Sequence, residues 1–124
     1  MNSLSILALS VLVQVDSGLI SCPSVLRLTQ VIEAPGWEKI DPPSIVRLNG
    51  ASFFDGHPSH GVEIAPLPLE KGGEILAEWP VGEDGWLVCR YNGILGGITQ
   101  KATPGTTCML VEDPQRRSRD AYCK

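Results

Sequence analysis

Trp86-Leu87-Val88-Cys89-Arg90-Tyr91-Asn92-Gly93 is the stretch that decides the class of fold. A run of aromatic, aliphatic and β-branched residues suited to a pleated strand stops at Asn-Gly, a pair that readily supplies positive φ. Gly96-Gly97 then leads into Ile98 to Ala102, and Pro104-Gly105 makes a type II-like reversal into Thr107 to Val111. Three short runs separated by turn residues read as an antiparallel meander. Trp86 and Tyr91 fall on opposite parities of the first run, so one enters the core and the other faces the surface or a sheet edge.

Working outward, the same grammar continues. Val25 to Ile32 places Leu26, Leu28 and Ile32 on one face, with Arg27 and Thr29 on the other. Ala34-Pro35-Gly36-Trp37 makes a turn, and Asp41-Pro42-Pro43 makes a break before a strand over Ile45 to Phe54 that Asn49-Gly50 interrupts. Leu76 to Trp79 is a further strand, and Tyr122-Cys123 a short closing one. Phe53, Trp79 and Trp86 are assigned to the core. Between them Asp55 to Gly73, rich in Gly and Pro, is irregular, with Leu67 and Leu69 as packing contacts. Long irregular loops in compact domains often carry function. No repeat and no long amphipathic helix is visible. The expected fold is all-β or β-rich, a small antiparallel sandwich or barrel-like meander stapled by two disulfides.

The N-terminus bears on location. Leu4 to Val15 is mostly apolar and shorter than the roughly 18–20 residues that span a bilayer, and the small residues Ser17, Gly18 and Ser21 follow it. Residues 1–21 are therefore read as an export signal, although no Lys or Arg precedes the apolar run, and residues 22–124 as one β-rich domain in the periplasm with no integral membrane span. Four cysteines remain, Cys22, Cys89, Cys108 and Cys123, an even number that suits disulfides in an oxidising compartment. Leu19-Ile20-Ser21-Cys22 also fits a lipoprotein cleavage site, but a lipid on Cys22 would leave an odd thiol. The strand-like segments favour Cys89–Cys108 with Cys22–Cys123; Cys22–Cys89 with Cys108–Cys123 is the alternative.

Several kinds of chemistry find little support. The formal net charge is −4, and the basic cluster Arg116-Arg117-Ser118-Arg119 is flanked by Glu112, Asp113 and Asp120, so a nucleic-acid partner is not expected. Asp55, His57 and His60 have the residue types of a zinc site but lack the third or fourth fixed ligand that one needs, and no metal or other cofactor is assigned. No nucleophile elbow and no phosphate-binding glycine loop is present, and Glu83-Asp84 between Gly82 and Gly85 reads as a hydrated turn. No catalytic residue is assigned, and the chain is read as a non-enzyme.

Candidate contact residues are Trp37, Phe54, Asp55, His57 and His60, aromatic and polar side chains bordering loops. Cys22-Pro23, Pro35-Gly36-Trp37, Phe53-Phe54-Asp55-Gly56 with Pro58, Trp86 to Tyr91, Pro104-Gly105 before Cys108, and the terminal Tyr122-Cys123-Lys124 together resemble a family of small exported proteobacterial proteins. Some members are encoded in type VI secretion islands. The resemblance implies a periplasmic immunity protein whose partner is a cognate effector enzyme that attacks the cell wall; it assigns no catalytic residue. A rigid, disulfide-braced β-scaffold with a protruding loop suits such a plug, because little order is lost on binding. Other readings are a lysozyme inhibitor and an envelope or peptidoglycan-binding module that inhibits nothing. A small hydrolase would require turnover that depends on His57 or His60.

Overall fold

The computed structural model describes residues 19–29, 33–40, 44–69 and 74–124. Among them there is no helix, and the strands form two antiparallel sheets. One has the order β1 (Ile20–Ser21), β9 (Ser118–Cys123), β8 (Thr107–Asp113), β5 (Ile75–Pro80). The other runs β2 (Val25–Arg27), β3 (Ile45–Asp55), β6 (Gly85–Tyr91), β7 (Gly97–Lys101), with β4 (Val62–Glu63) added beside the far end of β3. The second sheet curls into a half-barrel around β3.

That curl has a local origin. The β3–β6 register slips between Leu48 and Gly50, where Asn49 is the extra residue of a bulge at the expected Asn49-Gly50 interruption. A bulge bends its strand and strengthens the twist. It also switches parity, so that Val46 and Leu48 before it and Phe53 after it all face inward and are buried. Gly93, Gly96 and Gly105 take the positive φ expected of their turns, while Gly97 has none and starts β7.

The core lies between the sheets: Phe53 stacks on Trp79 with ring centroids 6.0 Å apart, and Leu87, Tyr91, Val81, Leu110 and Ala121 close around them. Tyr91 sends its hydroxyl to the Pro23 carbonyl at 2.7 Å, and the Trp79 indole N–H donates to the Ile64 carbonyl at 3.0 Å. Both polar tips are thus satisfied inside, which burial demands.

Four expectations are corrected. The disulfides are Cys22–Cys89 and Cys108–Cys123. Cys108 and Cys123 face each other across β8 and β9, whereas Cys89 sits on β6 in the opposite sheet, and the β1–β9 pairing carries Cys22 over it. The Cys22 sulfur that a lipid would need is therefore taken. The three-strand meander ends after β7: the Pro104-Gly105 turn carries the chain across to the other sheet, where β8 pairs with β5 and β9. Leu67 and Leu69 are exposed, because the segment carrying them runs along the outside. Trp86 is half-buried; its parity opposes that of Leu87, Cys89 and Tyr91, which fill the interior. The strand expected over Val25 to Ile32 is described as Val25–Arg27, with residues 30–32 outside the described set. Residues 1–18 also lie outside it, and the boundary expected at residue 22 falls beside a β1 already paired with β9.

Candidate functional site

β3 and β4 are joined by a hairpin loop over residues 56–61, with Phe54 opposite Glu63 and Asp55 opposite Val62. Gly56 opens the turn at φ 92° and donates its N–H to the Asp84 carbonyl at 2.7 Å, which ties the loop to the turn before β6. At Gly61 the chain passes so close to the Gly56 carbonyl that a Cβ would lie 2.5 Å from its oxygen, so only glycine closes the loop without displacement.

The loop leans over the outer face of the curled sheet. Phe54, Trp86 and Lys101 form one row across β3, β6 and β7, as Phe54 pairs with Trp86 and Trp86 with Lys101. The His57 ring meets Trp86 edge-on at 4.7 Å between centroids, a geometry that favours the electropositive edge of one ring against the face of another. Ser59 Oγ lies 2.8 Å from His57 Nδ1 and 3.2 Å from His60 Nδ1, linking the two imidazoles. Below them the Trp86 indole N–H donates to Asp84 Oδ1 at 3.2 Å, and Lys101 Nζ stands 3.5 Å from the same oxygen. This is a solvent-facing patch of aromatic, imidazole and compensated charge.

Of the five candidate contact residues, Phe54 pairs with Trp86 across β3 and β6, His57 lies against the Trp86 ring, and His60 joins His57 through Ser59. Asp55 takes the opposite parity at the strand end, where it borders a shallow depression with Ile64, Pro80 and Glu83. Trp37 is 82 % exposed in the turn over residues 34–37, and among the described residues no ring contact or hydrogen bond joins it to the loop. Trp86, Asp84 and Lys101 were missed by the sequence reading; the parity of Trp86 against Leu87 and Cys89 is the signal that could have found the first. Asp55, His57 and His60 do not assemble as ligands, and no group of three metal-binding side chains exists among the described residues. Among those residues, too, no helix is long and apolar enough to cross a membrane.

Fold and patch together define a small disulfide-braced β-protein that presents a preformed aromatic loop, a build suited to binding another macromolecule. Residues 42–124 match the family of type VI secretion system Tli immunity proteins, and the chain belongs to that family. No curated protein and no solved structure matches it. Membership implies a protein effector as partner and an inhibitory, non-enzymatic role.

Proposed function

We propose that the chain neutralises a type VI effector enzyme in the periplasm by covering it with the patch built on Phe54, His57, His60 and Trp86, with Asp55 on its flank. Family membership over residues 42–124 is the observation that carries this reading. Two disulfides are consistent with an oxidising compartment. They also hold the loop's scaffold rigid before contact, so little conformational entropy is lost on association. Aromatic residues at the centre of a patch, ringed by polar groups, are the arrangement from which interface hot spots arise. The formally acidic chain would attract a basic enzyme and speed encounter.

The test uses cells that make the cognate effector and lack the chain itself. The periplasmic form restores growth, and a form kept in the cytoplasm does not. Equal protection by the cytoplasmic form would contradict the periplasmic reading. The envelope component degraded in unprotected cells identifies the effector's substrate, which the sequence reading takes to be peptidoglycan.

A further inference from the structure

We propose that the outer edge of β7 accepts an extended segment of the effector as an added strand, with one aliphatic side chain of that segment seated between β7 and β1. The inference rests on the inhibitor reading and names how the partner is held.

β7 is an end strand, and among the described residues it has a neighbour on one side only. The direction of its backbone groups follows from the ladder. Ala102 N–H donates to the Gly85 carbonyl, so residue pairs two apart from this one, Gln100 with Leu87 and Ile98 with Cys89, bond across β6 and β7. The N–H and C=O groups of Gly97, Thr99 and Lys101 therefore point away from β6. All five residues of β7 are exposed. A free edge of that length is normally blunted by proline, charge or brevity. Lys101 at the end is its one charge, and it stands beside Asp84. β2, at the other end of the same sheet, has three residues and finishes on Arg27.

β1 and β7 end the two sheets on the same side of the molecule, and a cleft of about 50 Å³ opens between them. Ile20, Pro23, Leu87, Cys89 and Ile98 line it, so core side chains are reachable there. It has room for a small aliphatic group. On the opposite side an extended segment of the chain itself bridges the two sheets along their outside: Ile64 N–H donates to the Phe53 carbonyl of β3, and Leu67 N–H to the Glu78 carbonyl of β5. The β1–β7 side, which no segment bridges among the described residues, offers the same kind of backbone edge. Strand addition supplies affinity through main-chain hydrogen bonds and specificity through alternate side chains. Lys101 also lies in the row of Phe54 and Trp86, which makes the edge continuous with the patch proposed above.

Amide hydrogen exchange of the full chain, which keeps β1, free and bound to the effector, tests this directly. On binding, the amides of Gly97, Thr99 and Lys101 slow at least about tenfold, while Ile98 and Gln100, already bonded to β6, change little. Thr99→Pro removes an outward N–H and, with it, the Thr99 hydroxyl's bond to the Leu87 carbonyl, but leaves the backbone bonds to β6 in place, as edge positions allow, and weakens binding. Ile98→Lys keeps the whole backbone, places a charge at the cleft and does the same. Effector binding with unchanged exchange at 97, 99 and 101 overturns the edge and leaves the inhibitor reading standing. Failure of every form to bind the effector overturns both. Slow exchange at these three amides in the free chain would show the edge already covered, by a second copy or by residues before Leu19, and overturns the proposal as well.

Discussion

At the scale of single residues, the alternation of β-strands decides what each side chain can do. Phe54 and Asp55 are neighbours in sequence, yet one faces Trp86 on the outer sheet and the other the depression beside Pro80. The opposite parities of Trp86 and Tyr91 were legible, but a general preference for burying tryptophan put Trp86 inside, and the structure buries Tyr91 instead. The hairpin at the other end of the molecule shows one acid under strong local control. Asp113 accepts from the Arg116 guanidinium at 3.1 Å and from the backbone N–H groups of Gln115 and Arg116, which hold its carboxyl below the usual range. A lowered folded pKa contributes stability that is present above the unfolded value and disappears as pH falls through the folded one. Asp113→Asn should therefore flatten the acid limb of the stability curve between the ordinary carboxylate range and lower pH, by a small amount because the site is solvent-exposed. Urea midpoints of both proteins across that range check it; an unchanged acid limb would show that the turn's charges do not couple to folding.

At the scale of elements, the strands themselves were legible and their partners were not. Turn residues marked most of the boundaries, and Asn49-Gly50 marked the bulge, because those signals are local. The move of β8 into the other sheet depends on which edge meets which face, and nothing in residues 103–107 encodes that. β4 was hidden for a related reason: Pro66 and Pro68 mark a loop, yet the segment before them extends beside β3, and Leu67 between them bonds to β5. The start of β6 is a firm test of the packing. A Cβ at Gly85 would run into the Phe53 ring and approach Val81 Cγ1 at 3.0 Å, whereas at Gly82 nothing lies within 4 Å. Gly85→Ala should cost about 1–3 kcal/mol, as overpacked cores do, and Gly82→Ala less than about 0.5 kcal/mol, both measured by denaturant unfolding. Equal effects would mean that Phe53 is not held against β6.

At the scale of the whole molecule, the disulfides divide the labour. Cys22–Cys89 joins the two sheets across a separation of 67 residues; Cys108–Cys123 staples adjacent strands of one sheet across 15. Loop-closure entropy gives the long link about 4 kcal/mol and the short one about 3 kcal/mol. Replacing Cys22 and Cys89 by serine should lower stability more than replacing Cys108 and Cys123, and the reverse order in calorimetry would contradict the pairing of the sheets described here. The parity of the cysteines was readable in the sequence. Their connectivity was not, because the separation of two thiols along the chain says nothing about which sheet each strand joins.

The central claim is that this immunity protein grips its effector through the loop and row around Trp86. Titration of the purified effector with wild type and with Phe54→Ala tests it most directly, with melting curves confirming that the variant is folded. A weakening of at least about tenfold, the size expected of a hot-spot aromatic, is predicted. Wild-type affinity in the folded variant would place the grip elsewhere on the molecule.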